Sequence, residues 1–227
     1  MQTRFKQTLG KIGVRPVYRD DRVALYHADC REILAAIEPA LDITIVSDPP
    51  YGIGWRDPAT GRRVRGDDKP FDPSHLLRFR CVLFGGQHFC QRLPLGGTWQ
   101  IWDKRCPHKG GSKLCECGPC RVNHQGDFED IWISWTTHRT IYRHYWNGGG
   151  KASERNVRRI HITQKPVLLM GWLLDAHTQR GDLIIDPYAG SCSTLIAARL
   201  SGRYAIGIEL DDAVVVPAVE RLKETTL

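Results

Sequence analysis

Long apolar runs are absent from this sequence. No stretch approaches the roughly 20 consecutive apolar residues of a membrane-spanning helix, and the basic opening "MQTRFKQTLGKIGVRPVYRD" leads into no apolar segment. Neither a membrane span nor a secretory leader is therefore expected. Internal repeats and long low-complexity tracts are also missing, which sets aside repeat architectures. Acidic residues are the scarcer charge, 25 against 32 Lys and Arg, for a formal net charge of +7. The shortage is local: residues 137–165 hold one acid, Glu154, against seven bases, with Tyr142, Tyr145 and Trp146 interleaved. Such a stretch suits a polyanionic partner. The expected location is the cytoplasm, where the eight cysteines are reduced thiols or metal ligands rather than disulfides.

What is present is an alternation of strands and helices. "RVALYHADC" (22–30) reads as a strand, "REILAAIEPAL" as a short helix, and "LDITIVS" (41–47) as a β-branched strand deep in a sheet. Residues 52–75 lack apolar periodicity and form a long loop, a length that usually carries function. Further strands are expected at 79–86, 98–104 and 128–135, with a helical turn or two in "GQHFCQRLP". "KPVLLMGWLLDAHTQ" reads as a helix with Pro166 in its first turn. Strands at 182–187 and 203–210 flank the helix "SCSTLIAARLSG", which Gly202 ends. Pro217 implies that the last helix starts late or is kinked. Residues 1–21 read as a loosely ordered basic arm, and Cys81 and Cys90 as small core residues. The expected fold is α/β, with a doubly wound, mainly parallel sheet.

Two stretches carry chemistry. "SDPPYGIGW" (47–55) puts Asp48 at the carboxyl end of a buried strand, the edge where open α/β sheets bind ligands. "IIDPYAGSCSTLIAARLSGRYAIGIELDD" runs a strand into a small-residue turn and a helix, and Glu209 ends the next strand, nineteen residues after Gly190. Small residues let a ligand approach the backbone, a helix start offers free N–H groups, and a carboxylate at that spacing suits ribose hydroxyls.

Together, "DPPY" (48–51), "DPYAGSCST" (186–194) and "HITQKP" (161–166) resemble the motifs of the amino-group DNA methyltransferases, in the order of their beta class. The resemblance implies a Rossmann-like methyltransferase fold and S-adenosyl-L-methionine as cofactor. It also implies methyl transfer to N6 of an adenine turned out of DNA, with N4 of cytosine as the alternative. Asp48 and the Pro49 carbonyl would accept the amine hydrogens, Pro50 would stiffen the turn, and Tyr51 would stack on the base. The cofactor side would comprise Asp186, Pro187, Tyr188, Ala189, Gly190, Ser191, Ser193, Thr194 and Glu209. Asp29 and Cys30 would lie near its adenine, and Lys165 would orient its carboxylate or touch DNA. The family has a glycine where this chain has Cys192 and a proline where it has Ile162; Cys192 is expected to re-angle or weaken cofactor binding. Beta-class relatives often pair, so a homodimer is a further expectation.

Trp55, Arg56, Arg62, Arg63 and Arg65 would form a lid over the extruded base, and Arg139, Arg143, Arg155, Arg158 and Arg159 would neutralise phosphates. Within "CPHKGGSKLCECGPCRVNH" (106–124), Cys106, Cys115, Cys117 and Cys120 are candidate ligands of one structural zinc, with His108 and His124 as substitutes and reduced thiols as the alternative. The expected organisation is an arm (1–21) and one domain (22–227). The domain divides into a catalytic half (22–103), a Cys-rich, basic, DNA-facing insertion (104–160) and a cofactor half (161–227). Two other readings share these letters: methylation of a protein amide, and a zinc-stabilised DNA-binding module without catalysis.

Overall fold

The computed structural model describes residues 2–57, 60–105, 126–146 and 151–225. In chain order these form helix α1 (Gln2–Lys11), strands β1 (Tyr18–Arg19) and β2 (Val23–His27), helix α2 (Cys30–Ala35), and strands β3 (Ile43–Ser47) and β4 (Arg80–Phe84). A 3-10 segment (Gly86–Arg92) precedes β5 (Thr98–Asp103), β6 (Phe128–Ile133) and β7 (Ile141–Arg143). Then come α3 (Val167–His177), β8 (Leu183–Asp186), α4 (Ser193–Leu200), β9 (Tyr204–Glu209) and α5 (Asp212–Glu224). Among the described residues no helix is long and apolar enough to cross a membrane.

The nine strands form one sheet in the order β1-β2-β9-β8-β3-β4-β6-β5-β7. The run β2-β9-β8-β3-β4 is parallel throughout, whereas β6 is antiparallel to both its neighbours. Both faces are covered, which is why these strands read as continuous apolar runs. Side-chain alternation sends Val23 and Leu25 to the layer holding Leu169 and Leu173 of α3, Leu195 of α4 and Leu222 of α5. Ala24 and Tyr26 go to the layer holding Phe5 and Leu9 of α1 and Ile33 of α2. From β3 the chain proceeds outward to β4, while β8 and β9 fill the sheet on the other side. The boundary between β3 and β8 is thus the topological switch point, where a crevice opens beyond the strand ends.

Several expectations need correction. Residues 1–21 are not a loose arm: α1 seats Phe5 and Leu9, and the residue just after it, Ile12, against the core, a spacing of four and three residues that buries one stripe. Its polar composition hid this, since three anchors suffice when a sheet is there to receive them. The last helix begins at Asp212, ahead of Pro217, because the Asp211 carboxylate caps it by accepting from the Ala213 N–H at 3.0 Å. The proline then costs one hydrogen bond just past the first turn. Pro166 stands at the N-cap of α3 rather than inside it. Cys81 is a buried core residue, but Cys90 is exposed. The strand expected at 128–135 is β6, which lies inside the sheet between β4 and β5.

Candidate active site

A cavity of about 260 Å³ opens at the switch point. The turn after β3 supplies Asp48, Pro49, Pro50 and Tyr51 to its wall, and the turns after β8 and β9 supply Tyr188, Gly190, Glu209 and Asp211. The two stretches singled out in the sequence therefore share one cleft. They are tied beneath it by a hydrogen bond from Ser47 Oγ to Asp186 Oδ1 at 2.6 Å.

Asp48 is partly buried, its side chain 16% exposed, and is held from two sides. Its Oδ1 accepts the Tyr51 hydroxyl at 2.6 Å, and its Oδ2 receives the Lys165 ammonium at 2.6 Å. The Tyr51 ring stacks on His88 at 5.0 Å. The ring also presses on Gly85, whose φ is +64° and where a Cβ would lie 2.2 Å from it. Only glycine fits there. The tetrapeptide is thus rigid before any ligand arrives.

Lys165 also meets Glu129 Oε2 at 3.1 Å, and Glu129 Oε1 meets the buried Lys104 ammonium at 3.0 Å. Burial pushes the Asp48 carboxyl above its ordinary value, with Lys165 opposing and Glu129 adding to the rise. For Glu129 burial also pushes upward, but Lys165 and Lys104 overcome it and hold the group below its usual range. Burial would depress Lys165; the two carboxylates override it and lift the ammonium to about 12. Two neighbouring acids with separated affinities divide the labour: one stays charged, the other is poised to take a proton.

The turn after β8 is braced from behind. Asp186 accepts from Ser47, from Thr194 Oγ1 at 2.6 Å and from the Tyr188 N–H at 3.2 Å. Ser193 Oγ donates to the Lys165 carbonyl at 2.6 Å. Asp186, Pro187, Ala189, Ser191, Ser193 and Thr194 do not line the cavity; they shape the turn that presents Tyr188 and Gly190. Glu209 accepts from the N–H groups of Gly190, Leu210 and Asp211 at 2.8, 2.8 and 2.7 Å, with its carboxylate on the cavity wall. Asp29 caps α2 through the Arg31 N–H. Cys30 lies 3.8 Å from His75, which meets the Tyr188 hydroxyl at 3.0 Å, so this pair stands behind the wall rather than in it. Cys192 adopts the left-handed conformation at φ 62° that favours glycine, at a cost of about 1–2 kcal/mol. Its side chain is packed into the core and is no part of the cavity wall.

Burial lifts Asp186 to about 6, against the hydrogen bonds it accepts. The folded state therefore holds this proton more tightly than the unfolded chain, and the stability it contributes is present below pH 4 and lost as pH rises through 6. The shift corresponds to roughly 3 kcal/mol. Urea titrations at pH 4 and pH 7 should show D186N gaining about that much on the wild type between the two; parallel curves would refute it.

Of the basic residues named above, Arg65 and Arg159 line the cavity together with Trp55. Arg56 and Arg63 face each other across an isolated bridge within the long loop, and Arg62 is exposed. Arg139, Arg143, Arg155 and Arg158 are exposed and lie off the cavity. Cys106, Cys115, Cys117 and Cys120 fall outside the described residues, as do His108 and His124. Among the described residues no cluster could hold a metal ion.

The sequence reading missed three residues that organise the site. Asp67 latches the long loop: its carboxylate accepts from the N–H groups of Gly52, Ile53 and Trp55 at 2.7, 3.3 and 2.6 Å. Each such charge-assisted bond is worth roughly 1.5–3 kcal/mol. D67A should therefore raise the rate of protease cleavage between residues 52 and 66 by about tenfold or more; an unchanged digest would show the loop is held elsewhere. Glu154 joins the basic stretch to the cofactor-side turn through Arg221. Glu129 enters from β6. The only hint of Glu129 in the letters is a pair of acids opening an otherwise apolar strand, "FEDIWISW".

A doubly wound sheet with a carboxylate tetrapeptide facing a small-residue turn across its switch point defines the Rossmann-like methyltransferase class. The DNA methylase family, N6/N4 type, matches residues 97–220, more than half of the chain. The chain belongs to that family and is a DNA methyltransferase. It is similar to the type II methyltransferase M2.LlaDCHI of Lactococcus lactis subsp. cremoris, 26% identical over 261 residues that cover 95% of this chain and 94% of the relative. The fold is similar to that of the PvuII DNA methyltransferase (cytosine-N4-specific), with a TM-score of 0.61, 16% identity, and 92% and 89% of the two chains covered. It is also similar to the M1.HpyAVI–SAM complex, with a TM-score of 0.55, 19% identity, and 88% and 98% covered.

Proposed function

We propose that this methyltransferase uses S-adenosylmethionine to methylate N6 of an adenine turned out of DNA. The observation that supports this most is the partly buried, doubly held Asp48 carboxylate facing Gly190 and Glu209 across one cavity. The donor set fits the cofactor. Glu209 and Asp211 offer acceptors to ribose hydroxyls, Gly190 leaves the backbone open at φ 48°, and the acidic wall suits a cationic nucleoside. When bound, this cofactor supplies an electrophilic methyl group on a sulfonium.

The chain's own residues prepare the amine. The exocyclic nitrogen of adenine is a poor nucleophile because its lone pair is delocalised into the ring. Asp48 and the Pro49 carbonyl accept hydrogen bonds from its two N–H groups, which favours a tetrahedral nitrogen and frees the pair. Asp48 then holds the proton that leaves. Tyr51 stacks on the base, worth roughly 1–3 kcal/mol, which offsets the few kcal/mol of extrusion. Trp55 and Arg65 on the latched loop close over it, and the exposed arginines of residues 139–158 meet phosphates. Aspartate at position 48 is what favours adenine over cytosine, by resemblance. In the same reading the four cysteines of residues 106–120 hold a structural zinc, the enzyme works in the cytoplasm and two copies pair.

The test is incubation with DNA and S-adenosylmethionine, digestion to nucleosides and mass analysis. N6-methyladenine is expected. N4-methylcytosine as the sole product replaces adenine by cytosine, and no methylated base with retained DNA affinity leaves a binding module.

A further inference from the structure

The tetrapeptide accounts for one end of a chain of charges beneath the cavity; nothing in the motifs accounts for the other. Asp48, Lys165, Glu129 and Lys104 alternate in sign, linked at 2.6, 3.1 and 3.0 Å. We propose that Glu129 is a positioning residue for methyl transfer: it holds Lys165 beside Asp48 and divides the ammonium's charge between two carboxylates. The inference rests on the reading of Asp48 as the amine's acceptor.

Three structural facts carry it. Lys165 precedes α3 whereas Glu129 sits on β6, the antiparallel strand that turns its amino end toward the carboxyl ends of β3 and β4. Their meeting is therefore made by the sheet order, not by a local turn. The lysines are buried and the carboxylates partly so, with Lys165, Lys104, Asp48 and Glu129 10%, 1%, 16% and 23% exposed, so solvent screens the charges less than at the surface. Two acids and two bases sum to zero, which lets four ionised groups share a site that would reject any one alone. Glu129 and Asp48 thus compete for one cation. Other groups facing Asp48 are the Tyr51 hydroxyl and the carboxyl of Asp186, with Asp130 beyond Tyr51.

This competition gives opposite signs to two substitutions. E129Q removes a negative neighbour and leaves Lys165 wholly to Asp48, so Asp48 ionises more readily. K165M removes the cation, so Asp48 ionises less readily. Each change should move its titration by about one pH unit. A merely structural Glu129 would lower stability and leave the titration in place.

The experiment follows the Asp48 carboxyl carbon by NMR from pH 4 to 9 in the wild type, E129Q and K165M, beside methyl transfer to DNA over the same range. Expected for E129Q is a midpoint about one unit lower, the acid limb of kcat moving with it, a plateau lowered roughly threefold to tenfold, and KM for DNA unchanged. K165M should move the midpoint upward. Should E129Q fail to fold, K104M carries the test: Glu129 then draws harder on Lys165, and the Asp48 midpoint rises. A wild type that transfers no methyl group to DNA removes the reading of Asp48. An active wild type whose midpoint does not move in E129Q, or moves up, overturns the role of Glu129 alone.

Discussion

Asparagine in place of Asp48 is expected to lower kcat for methyl transfer by about 10²–10³-fold, the loss typical of a preorganised charge-stabilising group, with KM for DNA changed less than threefold. The substitution keeps the side chain's size and one acceptor. That acceptor must face Lys165, 2.6 Å away, because an amide N–H₂ cannot face an ammonium. The amide nitrogen then faces the Tyr51 hydroxyl, which can accept from it. Geometry survives; the capacity to hold the departing proton does not. Binding depends on stacking and phosphate contacts, so the loss should appear in kcat rather than in KM. Lys165 keeps Glu129 as a partner, so the variant should fold. Single-turnover transfer in folded D48N decides it, and a rate within tenfold of the wild type would remove Asp48 from the chemistry.

The second large effect concerns stability. Glu154 is the lone acid of the basic stretch, and the structure explains why it is there. Its Oε1 lies 2.6 Å from Arg221 Nη2 of α5, and its Oε2 accepts the first N–H of α3, from Val167, at 2.9 Å. The pair is buried, the side chains 14% and 7% exposed. Arg221 in turn donates to the Ser191 carbonyl at 2.7 Å and to Ser193 Oγ at 3.0 Å. Burial lowers the guanidinium's affinity for its proton, and Glu154 opposes that. E154A leaves a buried cation without its carboxylate and a helix start without its acceptor, so a loss of about 3–5 kcal/mol is expected. Thermal unfolding should fall by on the order of 10 °C for a domain of this size. The turn carrying Gly190 loosens with it, so cofactor affinity falls too. E154Q, which keeps one of the two acceptor positions, should lose less. A melting point within about 2 °C of the wild type for E154A would show that water replaces the carboxylate at no cost.

How much of this was legible beforehand depends on the range of each interaction. β3, β4, β8 and β9 announced themselves because burial on both faces leaves largely apolar runs such as Ile43–Val46, interrupted by the buried Thr44 alone, and Leu183–Ile185. The facing of Asp48 and Gly190 was also readable, since parallel strands deliver their carboxyl ends to one edge whatever the loops do. Helix α1 was not, because its three apolar anchors look sparse until the sheet beneath them is known. The exposure of Cys90 was equally hidden in a short 3-10 segment with no sustained period.

The letters alone determined the alternation of elements, the two turns that face one cavity, and the family. Those are properties of neighbours along the chain, where periodicity and turn chemistry act directly. The tertiary structure decided which charges meet: Lys165 finds Asp48 across 117 residues, and Glu129 joins them. Local pattern carries no information about that meeting. It follows from β6 entering antiparallel beside β4, which turns an acidic strand start toward the ends of parallel strands and sets it against two buried lysines.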